Sequence, residues 1–174
     1  MRFSANLGFL WTDRPLPDAI HAAHQAGFDA VELHWPFDTP PAAVKAALQE
    51  TGLPLLGLNT RRGDLEQGDN GLAALPEREA EARAAIDEAL DYAAATGAGA
   101  IHVMAGKADG PAARAAYLAN LAYASDRAPE AMTILIEPLN HHDAPGYFLA
   151  TSAQAVEILR HLAKANLRVM VDCY

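Results

Sequence analysis

Short apolar runs alternate along the chain with longer stretches in which apolar residues recur every third or fourth position. The short runs are Arg2–Asn6, Ala30–Leu33, Pro54–Leu58, Ala100–Met104, Thr133–Glu137 and Arg168–Asp172. Several are apolar throughout, as in Thr133-Ile134-Leu135-Ile136, the pattern of strands buried on both faces of a parallel sheet. Five helices are predicted between them. The first runs from about Pro17 to Ala26, with Pro17 in its first turn and Gly27 just past its end. The second follows Thr39-Pro40, read as an N-cap and first helical residue, and ends near Gly52. The third spans about Pro76 to Thr96, with Glu77 and Glu79 at its electropositive end and Gly97 as its stop. The fourth covers about Pro111 to Arg127. The fifth opens at Thr151-Ser152-Ala153-Gln154, a capping-box pattern, and its spacing predicts that Val156, Leu159 and Leu162 are buried.

Strict β-α alternation predicts parallel strands joined by right-handed crossovers. Two folds have that order. A doubly wound nucleotide-binding sheet carries a Gly-rich turn after its first strand, and here that turn reads Asn6-Leu7-Gly8-Phe9-Leu10-Trp11. A (β/α)₈ TIM barrel instead builds its site from residues at the C-terminal ends of the strands. At or just past those ends stand Asn6, His34, Asn59, Lys107, Glu137 and Asp172. Polar residues also gather at strand ends in ordinary loops, so this pattern favours the barrel without excluding the alternative. The expected architecture is one partial barrel domain over 1–174, with six strands and five helices. A full barrel takes about 250 residues, so strands seven and eight are expected to be absent. The longest connection, Asn59 to Leu75, holds Gly63, Gly68 and Gly71 with Arg61, Arg62 and Asp64. It reads as a substrate-covering loop, and nearly as well as a plain surface loop.

Composition narrows the function. The chain is 51% hydrophobic, which excludes disorder, and its net charge is −9 from 13 basic and 22 acidic residues. That excess disfavours a nucleic-acid partner. A single cysteine, Cys173, rules out an intrachain disulfide and fits a reducing compartment. The N-terminus lacks the apolar core of a signal peptide, and no run approaches the roughly 18 apolar residues of a membrane span. The expectation is a soluble cytoplasmic protein.

The segment with the strongest chemical signal is Ile134-Leu135-Ile136-Glu137-Pro138-Leu139-Asn140-His141. An apolar strand there delivers a carboxylate into the barrel mouth, and a buried charge is costly unless paired or bound to a metal. A strand-end Glu that has reached solvent is the alternative; Pro138 and the nearby Asn140-His141 weigh against it. Val169-Met170-Val171-Asp172 repeats the arrangement. Two carboxylates on neighbouring strands suggest a hard-cation site for Mg²⁺ or Mn²⁺, although a lone strand-end acid is common. Lys107, after the small turn Ala105-Gly106, can reach an anionic substrate or simply be a solvated loop lysine. His102, inside its strand, reads as a satisfied wall residue. His141 and His142 are adjacent and their side chains are expected to diverge. His21, His24 and His161 fall on helices and carry little signal.

Taken in order, these segments resemble the hydroxypyruvate isomerase family of xylose-isomerase-like barrels. The resemblance rests on Arg2-Phe3-Ser4-Ala5-Asn6-Leu7, Gly27-Phe28-Asp29-Ala30-Val31-Glu32, Asn59 with Gly63-Asp64, and Gly106-Lys107. It continues through Ile136-Glu137-Pro138-Leu139-Asn140-His141, Asp143-Ala144-Pro145-Gly146-Tyr147 and Asp172-Cys173-Tyr174. It implies an aldose–ketose isomerisation of hydroxypyruvate to tartronate semialdehyde through an enediolate. Two glutamates then act as acid and base, of which Glu137 matches the first. Glu137 and Asp172 match positions that can hold a divalent cation, and Asn59, Lys107, Asn140 and His141 become substrate-binding candidates. The second glutamate and a strand-seven ligand have no counterpart, so a 174-residue chain acting alone is expected to have little activity.

Other readings are a related isomerase or epimerase of another 2-oxo sugar acid, a non-catalytic partial barrel, and an endonuclease of the wider group, which the negative charge disfavours. The expected partners are a small sugar-acid substrate and further copies of the chain, because open apolar sheet edges recruit strands. Nucleic acid and membrane are not expected.

Overall fold

A computed structural model describes residues 1–173. Its elements follow the β-α order throughout. The strands are β1 Ser4–Asn6, β2 Ala30–Leu33, β3 Leu55–Asn59, β4 Ala100–His102, β5 Thr133–Ile136 and β6 Leu167–Val169. The helices are α1 Leu16–Gln25, α2 Pro41–Thr51, α3 Glu79–Thr96, α4 Gly110–Arg127 and α5 Ser152–Leu162, with short 3₁₀ turns at Pro36–Asp38 and Pro76–Arg78. All six strands are parallel and lie in sequence order, β1 to β6. This is the strand order of a TIM barrel, and the sheet is open. Among the described residues β1 and β6 are its edges, each bonded on one side only.

The core forms where the helices lie on the outer face of the sheet. Ile20, Val31, Val44, Leu58, Ile86, Ile101, Tyr117, Leu121, Ile134 and Ile158 are buried there in one cluster. Alanine fills much of the helix–sheet contact: Ala19, Ala23, Ala47, Ala89, Ala93, Ala113, Ala124 and Ala155 are all nearly inaccessible. Small side chains let the helices approach the sheet closely. Helix ends are set locally. Gly52 and Gly97 take left-handed φ values of 71° and 84° and donate back to Leu48 and Ala93, closing α2 and α3.

The structure shifts several expected boundaries. Pro41, not Pro40, is the first residue of α2, and Thr39 caps nothing with its side chain. Its N–H bonds instead to Pro36 O at 2.9 Å, closing the preceding 3₁₀ turn. Thr151 does cap α5, its hydroxyl accepting from Gln154 N at 3.1 Å. Gln154 reaches back to Ala150 N rather than to Thr151 itself. The buried face of α5 is carried by Ala155 and Ile158, whereas Val156 is 39% exposed. Leu159 and Leu162 pack at the edge of the core. The spacing had the right period but a face rotated away from the sheet, because small Ala155 points inward as readily as a larger residue. β6 ends at Val169, although Met170 N still donates to Ile136 O at 2.9 Å.

Candidate functional site at the open sheet mouth

Parallel strands in one register bring their C-terminal ends to one side. A cavity of about 630 Å³ opens there. Of the residues singled out from the sequence, Asn6, His34, Asn59, Glu137 and Asp172 line it. β5 and β6 are parallel neighbours, with Ile136 opposite Val169, so Glu137 and Asp172, the latter two residues beyond the position opposite Glu137, leave the sheet at the same end. Glu32, Trp35, Asn70, His102, Met104 and Leu139 complete much of the wall.

The wall is acidic. Glu137 is only 16% exposed, and its pKa is pushed up from 4.5 to about 7. Burial is the main cause, followed by the negative charges of Asp172 and Glu32. A carboxyl in that range gains and loses a proton near neutral pH, as a general acid–base group requires. Ser4 Oγ donates a short hydrogen bond to Glu32 Oε1, tying that second acid to β1. His102 is 3% exposed. Its Nδ1 stands 3.8 Å from Glu137 Oε2, too far for a hydrogen bond, and neither ring nitrogen has a hydrogen-bond partner among the described residues. Burial and the nearby His34 lower its pKa to about 3, so the ring is neutral.

The mouth is framed by aromatic and cationic groups. His34 meets the Phe9 ring edge-on at 4.8 Å, and a Cβ on Gly8 would lie 2.1 Å from the His34 ring, so glycine is what admits His34 here. The Trp35 indole N–H donates to Met104 Sδ at 3.4 Å. Arg62 lies over the Trp35 ring at 3.6 Å. Burial, and after it the charge of Arg62, lowers the His34 pKa. No Lys or Arg lines the cavity among the described residues.

The loop after β3 is held in place as it passes the mouth. Ala73 N and Ala74 N donate to Met104 O and Ala105 O, and Gly71 bridges to Ala105. Leu72, Ala73 and Ala74 are buried, while Gly63 to Gly68 stand out in solvent. Asp69 Oδ2 accepts from Asp64 N at 2.7 Å and from Arg78 Nη1 at 2.6 Å, bracing the protruding part.

Three expected substrate contacts do not reach the cavity wall. Lys107 is exposed on the far side of Gly106 and pairs by its backbone with Tyr147. Asn140 folds its side chain into its own turn, Oδ1 accepting from His142 N and Asp143 N and Nδ2 donating to Asp143. His141 and His142 do not diverge. Both are exposed, with ring centroids 4.0 Å apart. In each case the loop after the strand turns outward, which strand position alone does not reveal. Glu32, Trp35 and His102 were passed over as site residues. Glu32 and His102 are polar residues inside apolar strands, and that interruption is the signal that could have marked them.

A divalent cation was expected on Glu137 and Asp172. The two carboxylates are the right kind of donor for a hard ion. Among the described residues, however, no group of three or more His, Cys, Asp or Glu side chains is gathered to hold a metal. The donors present fit such an ion in kind but not in number.

Parallel strands in barrel order, with acids collected at their C-terminal ends, define the class: an enzyme of the TIM-barrel type. The comparisons with known proteins narrow this. Residues 20–174 match the family described as xylose isomerase-like TIM barrel. The 2-oxo-tetronate isomerase of Cupriavidus necator is 43% identical over 178 residues, covering 99% of this chain and 68% of its own length. The putative hydroxypyruvate isomerase of Mus musculus is 40% identical over 185 residues, covering 100% of this chain and 67% of its own. The crystal structure of an AP endonuclease, family 2, from Brucella melitensis superposes with a TM-score of 0.94 at 33% identity, over 99% of this chain and 69% of that one. The chain belongs to the xylose isomerase-like TIM barrel family, on its hydroxypyruvate isomerase-like branch, and spans about two thirds of the length of these relatives.

Proposed function

We propose that the chain isomerises a small 2-oxo acid with a hydroxyl on carbon 3, hydroxypyruvate to tartronate semialdehyde being the leading reaction. The observation that carries this is Glu137, a largely buried carboxyl in an acid-lined mouth with its pKa raised to about 7. The carbon-bound proton of such a substrate is acidified by the adjacent carbonyl. Glu137 takes it, giving an enediolate, and returns it to the neighbouring carbon. Asn59 and Asn70, both on the wall, have amide groups suited to the substrate's oxygens. The substrate's own carboxylate needs a cation, and Arg62, stacked on the wall residue Trp35 with no salt bridge among the described residues, is the candidate.

A larger 2-oxo acid, such as the 2-oxo-tetronate named for the Cupriavidus necator relative, is the second reading, favoured by that relative's 43% identity and by the 630 Å³ cavity. The endonuclease name of the Brucella melitensis protein is not carried over: a mouth lined by Glu32, Glu137 and Asp172 repels a phosphate backbone. Among the described residues no helix is long and apolar enough to cross a membrane. A cytoplasmic setting belongs to the same proposal, supported by the exposed free thiol of Cys173.

The test follows both substrates by proton NMR, with and without added Mg²⁺ or Mn²⁺. Glu137→Gln keeps the shape and removes the base, and is expected to lower the rate about 10²–10⁴-fold. Turnover undiminished in that variant would show that the base lies elsewhere. Turnover of 2-oxo-tetronate but not hydroxypyruvate would select the second reading.

A further inference from the structure

The loop after β3 passes the mouth as two limbs joined by an exposed turn. The outgoing limb leaves β3 through Thr60, Arg61 and Arg62, and the returning limb runs from Asp69 to Ala74. Gly71 N donates to Arg62 O at 2.8 Å and closes the neck between them. A Cβ on Gly71 would lie 2.7 Å from Gly106 N and from the Met104 carbonyl carbon, so this limb rests directly on the segment after β4. Asn120 of α4, itself buried, donates from Nδ2 to Ala73 O at 2.8 Å. The returning limb is therefore fixed from Gly71 onward.

The residue just before that fixed stretch is Asn70. It lines the cavity, and its side chain makes no hydrogen bond within the protein among the described residues. Asn140, by contrast, uses its amide within its own turn. Asn70 thus offers a free donor and a free acceptor to whatever fills the mouth. On its other flank stands Asp69, whose side chain is only 12% exposed although Gly63 to Gly68 stand in solvent. Its Oδ2 accepts from Arg78 Nη1. Arg78 is oriented in turn by Glu81, in the first turn of α3, onto which Nε and Nη2 fork at 3.0 and 2.7 Å. Nη1 is left for Asp69. A partly buried ion pair adds little net stability, because desolvation offsets the attraction. A loop that merely joined β3 to α3 would need none. What the pair does is tie the flank of Asn70 that Gly71 does not hold to the end of α3.

We infer that Asp69 and Arg78 are positioning residues: their ion pair clasps the loop to α3 and holds the Asn70 amide in the cavity wall, where it bonds the oxygens of the 2-oxo acid. The identity of that ligand rests on the isomerase reading; the clasp explains how the site keeps its affinity. Neither Asp69 nor Arg78 lines the cavity, so both act through Asn70.

Titration with hydroxypyruvate and with 2-oxo-tetronate, followed by proton NMR of the ligand, gives dissociation constants without depending on turnover. Asn70→Ala is expected to weaken binding about 3–10-fold, the loss of one neutral hydrogen bond. Asp69→Ala breaks the clasp and is expected to weaken binding to a similar degree. The Asp69→Ala/Asn70→Ala double variant should bind no more weakly than Asn70→Ala alone, because the clasp then has nothing to position. Arg78→Gln breaks the clasp from the helix side and gives the same comparison if Asp69→Ala does not fold. A purely structural role lowers the melting temperature and leaves the dissociation constant unchanged, so a folded clasp variant that binds like the wild type overturns the inference. Wild-type affinity in Asn70→Ala, or a double variant in which the two losses multiply, overturns it as well, since the clasp would then not act through Asn70. All of these outcomes leave the isomerase reading intact. A wild-type chain that binds neither acid overturns both.

Discussion

The raised pKa of Glu137 ties the chemistry of the mouth to the stability of the fold, and the size of the effect can be worked out. The carboxyl titrates at 4.5 in an exposed chain and at about 7 in the folded one. Each pKa unit is worth about 1.36 kcal/mol, which sets a ceiling of about 3 kcal/mol. The mouth is open to water, so screening reduces this to about 1.5–3 kcal/mol. The sign follows from proton binding. Between pH 4.5 and 7 the folded state holds a proton that the unfolded state has lost, so stability falls as pH rises through this window. Below it the contribution is fully present, and above pH 7 it is gone. Glu137→Gln removes the ionisable group and keeps the shape. The variant should match the wild type near pH 4.5 and be more stable at pH 8 by about 1.5–3 kcal/mol, or roughly 3–12 °C in melting temperature. His102 titrates in the opposite sense, being neutral when folded and protonated below pH 6.5 when unfolded. Its contribution is common to both proteins and cancels in the difference. Thermal and urea unfolding of both proteins with chelator, at pH 5 and pH 8, is the assay. A stability difference that is the same at the two pH values refutes the reasoning, because it would mean that Glu137 is no harder to ionise in the fold than outside it.

Three further outcomes are expected. Gly106 has φ 92°, and a Cβ there would lie 2.2 Å from Gly71 O, so Gly106→Ala should cost about 2–5 kcal/mol by urea unfolding and open the loop after β3 to proteolysis. Ile158→Ala should destabilise by about 2–5 kcal/mol while Val156→Ala stays within about 0.5, since Ile158 is 2% exposed and Val156 39%; equal effects would reverse the assigned face of α5. The edges β1 and β6 and the exposed apolar side chains Phe3, Phe9, Leu56 and Val171 should drive self-association, which sedimentation velocity across a dilution series would detect. A monomer at every concentration would exclude it.

Much of the architecture is a local property of the chain. Continuous apolar runs such as Thr133–Ile136 suit strands covered on both faces, and Gly52 and Gly97 end helices because a left-handed residue there needs no Cβ. Glu137 and Asp172 could be placed at neighbouring strand ends because strict alternation leaves few parallel topologies. What depended on tertiary structure was direction. Whether a residue just past a strand faces the mouth depends on the path of its loop, and that path is set by distant contacts. Tyr147 Oη accepts from Ala105 N and Phe148 N donates to Gly106 O, pinning the chain beyond Asn140 and His141 against the segment that follows β4, while Asn140 bonds within its own turn and His141 is exposed. The elevated pKa of Glu137 likewise arises first from burial and then from charges past β6 and on β2, all set by residues far away in sequence. His102 looked like a wall residue, and it is one. That both its nitrogens are left without hydrogen-bond partners among the described residues, beside Glu137, emerges only when β4 and β5 lie side by side, because hydrogen-bond satisfaction belongs to the packed neighbourhood and not to the residue.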